Sequence, residues 1–328
     1  MSDFEARLSE LRRTATAAPR PQQPSGYYGR PMVKPPVWTW EIPLYFFVGG
    51  VSGMSATLAL GSLAGNAPLA FTRAALWLSV AGALISPVLL ILDLGRPSRF
   101  LNMLRVFKWR SAMSVGAWTL VVHSTLCVSS LMVFELFRFA AVDVGLPKEG
   151  VAALLFALLL TSAVTGTVLA TYTGVLLGAT AIPVWYRHRS LLPVHFGAAS
   201  LGSAAALLEL LGHSLPALHT VGMVVALVET IVFALTEVSG HAVVDRPLRS
   251  GRTGLMIRSA GALTGPIALA LRFADVRELA AIAFVTGALL ARYAWMAAGR
   301  ASALDPEATI AAQGASGNNC VARASRPK

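Results

Sequence analysis

Charge is scarce in this sequence. Only 13% of the 328 residues are Asp, Glu, Lys or Arg, about half the roughly 25% that a soluble domain carries. Cysteine is scarcer still: Cys127 sits in an apolar run, Cys320 near the end, and no CxxC exists. That excludes a disulfide framework. It also excludes an iron–sulfur cluster held by this chain alone, which needs about four thiolates. The histidines are His123, His188, His195, His213, His219 and His241. A b-type haem needs two of them at one depth on facing helices, and only His123 falls mid-run, which argues against haem. No short apolar segment directly follows Met1 or the Arg12–Arg13 pair. Residues 1–40 therefore read as a polar, proline-rich tail rather than a signal peptide.

Apolar residues are plentiful: 55% of the chain, with mean hydropathy +0.64. They gather into eight runs, near 42–64, 71–94, 112–137, 151–178, 191–213, 216–240, 257–273 and 277–298. Each has about 17–28 residues, enough to cross roughly 30 Å of hydrocarbon. In lipid every backbone polar group must be paired within the segment, so each run is predicted to be a helix. The fold class that follows is an all-α integral membrane protein with eight spans over 41–300 and a polar C-terminal tail at 301–328. The net charge of +11 does not point to nucleic acid, because the basic residues lie in the short gaps between runs. With the N-terminus inside, the tails and inner loops hold 21 Lys and Arg against 5 outside. That asymmetry predicts both termini in the cytoplasm and the cell's inner (plasma) membrane as the location.

A weak repeat divides the spans. "LDLGRPSRF" ends the second run and "VVDRPLRSGR" follows the sixth. Both set Asp, Arg-Pro and Arg after the second helix of a four-helix half, which predicts two related bundles at about 41–178 and 191–298. Gly49 with Gly53 and Gly61 with Gly65 form two GxxxG motifs, read as ordinary helix contacts.

Ionisable groups inside spans cost about 2.5–3.5 kcal/mol or more each, so they are functional suspects. Taken at 1.5 Å per residue from the inner ends, Glu237 lies about 5 Å deep, Tyr172 about 9 Å, His123 and Glu229 about 16 Å, and Glu209 about 27 Å. Two readings stay open. Either Asp93, His123, Glu229 and Glu209 mark a proton path, or His123 and Glu229 pair to tie the third and sixth helices. Glu135 and Arg138 are spaced as a surface pair. Arg292 is expected to reach the inner surface or to pair with Glu237.

Three stretches carry a resemblance. "DLGRPSRFLNMLRVFKWRSAMSVGAW" (93–118) is specific, and "WTWEIPLYFFVGGVSG" (38–53) and "TYTGVLLG" (171–178) support it. Together they resemble the NrfD-like family, the membrane subunits of polysulfide reductase and related complexes, over about residues 38 to 298. The resemblance implies a quinone-interacting anchor that exchanges electrons between a ferredoxin-like iron–sulfur subunit and membrane quinone, menaquinone or ubiquinone. The iron–sulfur subunit serves a catalytic subunit of molybdenum or nickel type, and the anchor itself carries no haem or cluster. It also implies that the quinone pocket lies on the N-terminal face and that Tyr172 donates to a quinone carbonyl. Some family members place an Asn and a His at the start of the first helix. Here that region reads "WTWEIPLY", and Glu41 and Tyr45 are the nearest polar groups, with Glu237 a further acid at that level. At the opening of the specific stretch, Asp93 can neutralise Arg96 while Pro97 stops the helix. Arg96, Arg99, Arg105, Lys108 and Arg110 form a basic surface for an acidic partner or lipid headgroups. A proton-conducting or transporter subunit and a pure anchor are the other classes. Pro266 is the one hint of a broken helix.

Overall fold

The computed structural model describes residues 31–94, 98–140, 148–238 and 241–313, together with the helical fold below. Among the described residues, eight helices are long and apolar enough to span a bilayer. In chain order the elements are α1 (Glu41–Ala64), α2 (Leu69–Asp93), the short α3 (Ser98–Leu104), α4 (Ala112–Ala140), α5 (Lys148–Gly178), the short α6 (Pro183–Arg187), α7 (Leu191–Leu210), α8 (Pro216–Val238), the single turn α9 (Arg246–Arg249), α10 (Gly251–Ala262), a π-helical turn (Leu263–Ile267), α11 (Ala268–Phe273) and α12 (Arg277–Ala303). The seventh span is α10, the π turn and α11 together. It begins six residues before the expected 257, because Arg252, between Gly251 and Gly254, interrupts the apolar run without breaking the helix. With an even number of spans, the start of α1 and the end of α12 share one face, here the near face.

Three turns at the far face close in the same way. Ala67 N–H donates to Ser62 O at 2.9 Å, His213 N–H to Leu208 O at 3.2 Å, and Val276 N–H to Leu271 O at 3.0 Å. The residue before each donor, Asn66, Gly212 and Asp275, has positive φ. This is the six-to-one closure that satisfies the last helical carbonyls through one left-handed residue.

Packing follows from small residues. A Cβ on Gly53 would stand 2.2 Å from the Gly166 carbonyl oxygen, so α1 and α5 cross backbone to backbone. Gly61, in the other GxxxG, has nothing within 4 Å. α1 packs on α2, α5 and α7, while α7 packs on α5, α8 and α12. Pro87 inside α2 cannot donate to Ala83 O, and the Ser124 hydroxyl of α4 fills that carbonyl at 3.0 Å. Pro266 leaves the corresponding gap in the seventh span, where the chain widens into the π turn instead.

Candidate functional site

At the near face, α1, α2, α3, α4 and α5 enclose a cavity of about 120 Å³. Its wall is mostly apolar. Tyr45 from α1, Tyr172 from α5 and Asp93 from the end of α2 supply the polar groups, and Met103 reaches in from α3. Tyr172 owes its place to Gly116 of α4: a Cβ there would meet the tyrosine Cζ at 1.9 Å. Asp93 Oδ1 accepts from the Thr39 backbone N–H at 3.3 Å and lies 3.2 Å from the Thr39 hydroxyl. The same hydroxyl bonds Glu41 Oε2. Two carboxylates thus meet through one threonine beside two buried tyrosines. Thr39 carries no sequence signal that would single it out.

Glu237 does not join this group. It sits at the end of α8, and Arg258 of α10 holds both its oxygens, at 3.0 and 3.3 Å. Depth along a helix sets height and not the direction a side chain faces, and the carboxylate of Glu237 turns to α10.

The mid-membrane groups form two separate clusters. His123 lies 3.2 Å from Ser52 Oγ, 3.3 Å from Thr165 Oγ and 3.3 Å from Cys127 Sγ. Ser52 and Ser79 exchange hydroxyl-to-carbonyl bonds beside it, at 2.6 and 2.9 Å. Glu229 lies elsewhere, with Oε2 2.8 Å from His195 Nδ1 and accepting from Thr264 Oγ at 3.3 Å. Its Oε1 is buried without a partner. The expected His123–Glu229 pair is therefore not formed. The depths agree, but α4 and α8 are not packing neighbours. His195, one turn into α7, is the residue that the depth argument missed.

Arg292 is also placed differently from expectation. It is 1% exposed and donates to Phe196 O at 2.9 Å and Ser200 Oγ at 3.1 Å, with its guanidinium 3.8 Å from the Phe196 ring centre. Nε and Nη1 are buried without partners. It reaches neither Glu237 nor the surface. A buried cation, a half-paired carboxylate, a histidine and the π turn therefore converge in the second half of the chain. Deeper still, Glu209 is held by both terminal nitrogens of Arg272, at 3.0 and 2.7 Å. Gly222 leaves the room: a Cβ there would meet the Arg272 guanidinium carbon at 2.0 Å. Glu135 bonds Arg138 at 3.0 Å, as its spacing suggested, and also Arg73 at 2.6 Å.

Of the basic loop, Arg105, Lys108 and Arg110 are exposed. Arg96 and the side chain of Arg99 lie outside the described residues. Two near-face loops are joined by Asp245, which is fully buried. It contacts Arg187 Nε at 3.1 Å and His188 Nε2 at 3.0 Å and accepts from the His241 backbone N–H at 2.6 Å. Burial pushes this carboxyl up, but the His188 bond and charge, the His241 N–H and Arg187 together hold it below the usual carboxylate range. Among the described residues no group of three or more His, Cys, Asp or Glu could hold a metal ion.

Comparison with known proteins adds a family. The family described as "Polysulphide reductase, NrfD" matches residues 30–243. A relative, "Protein NrfD" of Escherichia coli (strain K12), is 28% identical over 185 residues, which is 52% of this chain and 58% of that protein. The match thus spans less than two thirds of the relative's length.

Proposed function

Because this chain belongs to the polysulphide reductase NrfD family, we propose that it is the quinone-interacting membrane subunit of a multi-subunit respiratory oxidoreductase. It sits in the inner membrane with both termini cytoplasmic. A ferredoxin-like iron–sulfur subunit docks on the near face and passes electrons to or from a molybdenum- or nickel-type catalytic subunit. The observation that carries this reading is the cavity shared by Tyr45, Tyr172 and Asp93. Its volume suits one ring, since an apolar cavity of about 150 Å³ takes up benzene. Menaquinone and ubiquinone each present carbonyl oxygens that accept from a phenol. A quinone takes up two electrons and two protons on reduction. Tyr172 and Tyr45 supply donors in an apolar wall, and Asp93, linked through Thr39 to Glu41, supplies a carboxylate to hold a proton at the mouth.

Tyr172→Phe tests it by removing one hydroxyl and keeping the ring. Quinone affinity should fall about tenfold, equivalent to about 1.4 kcal/mol, with the complex intact. Unchanged quinone-linked turnover would reject Tyr172 as a contact.

A second reading has its own observation. Glu229, with His195, Thr264 and Arg292 around it, is a half-satisfied ionisable cluster deep in a span. Such groups mark proton routes by default. On this reading the chain conducts protons without quinone chemistry, and Tyr172→Phe leaves turnover unchanged while Glu229→Gln abolishes proton movement in vesicles.

A further inference from the structure

Between the second and third spans, residues 100–111 run along the near face, and their composition is mixed in an unusual way. Phe100 is buried and Met103 faces the tyrosine cavity. Leu101, Val106, Phe107 and Trp109 stay exposed, Trp109 by 70%. Interleaved with them are the exposed Arg105, Lys108 and Arg110. The Arg110 guanidinium lies 4.7 Å from the Trp109 ring centre. The Phe107 ring meets Trp118 of α4 edge-on at 6.2 Å. The Lys108 backbone N–H donates to Ser114 Oγ at 3.0 Å, which ties the segment to the first turn of α4. Its height is therefore that of the end of α2 and the start of α4, where hydrocarbon gives way to headgroups.

Water does not favour this arrangement, because it leaves large apolar side chains uncovered beside three cations. A headgroup layer takes both. Rings and aliphatic groups enter the acyl boundary while guanidinium and ammonium groups meet phosphates. Tryptophan beside arginine and lysine is the composition that this boundary selects.

We propose that Leu101–Arg110 is an interfacial anchor for the phosphates of anionic phospholipids, and that it thereby fixes α3 and its Met103 as a wall of the tyrosine cavity. The anchor stands by itself. The wall's consequence for ligand binding rests on the quinone reading above.

The full chain, reconstituted in nanodiscs of phosphatidylcholine alone or with about one third phosphatidylglycerol, tests the anchor. Tryptic cutting after Arg105, Lys108 and Arg110 should be about tenfold slower in the anionic discs and should recover in high salt. Brominated acyl chains should quench Trp109, read as the difference from Trp109→Phe, and the quenching should weaken in R105Q/K108Q/R110Q. Equal cutting in both lipids overturns the anchor. So does protection that arises only when co-purifying subunits are added, which would give the surface to a protein. Binding of decylubiquinone in the same discs then tests the wall. Tighter binding in anionic discs supports it, and equal binding despite protection overturns it. No binding in either lipid, with protection present, would reject the quinone reading and leave the anchor standing.

Discussion

A carboxylate taken out of water must be matched by donors, or it takes a proton instead. Asp245 is matched by Arg187, His188 and the His241 N–H, so it stays charged while fully buried. Its carboxyl is held below the ordinary value of about 3.9. A depressed acid contributes stability that is complete above its ordinary value and is lost as pH falls through the lower folded value. Asp245→Asn should therefore cost about 2 kcal/mol near pH 7, read as an earlier thermal transition of the detergent-solubilised chain. The two proteins should converge only in acid below about pH 3.9. A gap that persists unchanged in strong acid would mean that shape, and not charge, joins the two loops. The same logic at the cavity explains what the residues alone could not reveal. Tyr172 and Tyr45 were legible as polar rings near one face. Thr39, which links Asp93 to Glu41, is an ordinary threonine until the fold brings residues 39 and 93 together.

At the scale of helices, length and apolarity were enough to predict all eight spans, because a bilayer leaves a segment no other way to pair its backbone. Direction around each axis was not legible. Gly53 and Gly61 illustrate this. Both stand in a GxxxG pattern on the same helix, yet Gly53 touches the backbone of α5 and Gly61 touches nothing. A matched pair of variants separates them. Gly53→Ala drives a Cβ into a carbonyl oxygen that cannot move without its helix, so the folded chain should be lost or its transition lowered sharply. Gly61→Ala meets open space and should gain up to about 1 kcal/mol from helix propensity. Fluorescence-detected gel filtration and a melting curve read both. Equal losses would mean that the α1–α5 crossing is not as close as its backbone distances imply. The far-face turns teach the same point about punctuation. Gly212 is the expected residue for a left-handed closure, but Asp275 does the same work without a glycine beside it, and in the first turn the left-handed residue is Asn66 and not its neighbour Gly65.

Over the whole molecule, the polar interior is divided. Depth suggested one proton route through His123 and Glu229, and two ionisable groups at equal height do look like neighbours when only a linear coordinate is known. The helices decide otherwise. His123 is satisfied by Ser52, Thr165 and Cys127 among α1, α4 and α5, whereas Glu229 meets His195 and Thr264 among α7, α8 and the π turn through one oxygen only. The two clusters share no partner among the described residues. Groups without shared partners contribute independently, and their effects add to within about 0.5 kcal/mol. His123→Asn and Glu229→Gln should each shift the thermal transition, and the double variant should show the sum. A coupling well above about 0.5 kcal/mol would restore the single linked route. The functional arm follows from the same division. If protons cross through the second cluster, Glu229→Gln should stop acidification of reconstituted vesicles while His123→Asn leaves it running. If both variants stop it, the clusters act in series through water that joins them. If neither does, the buried carboxylate and its histidine serve to hold α7 against α8.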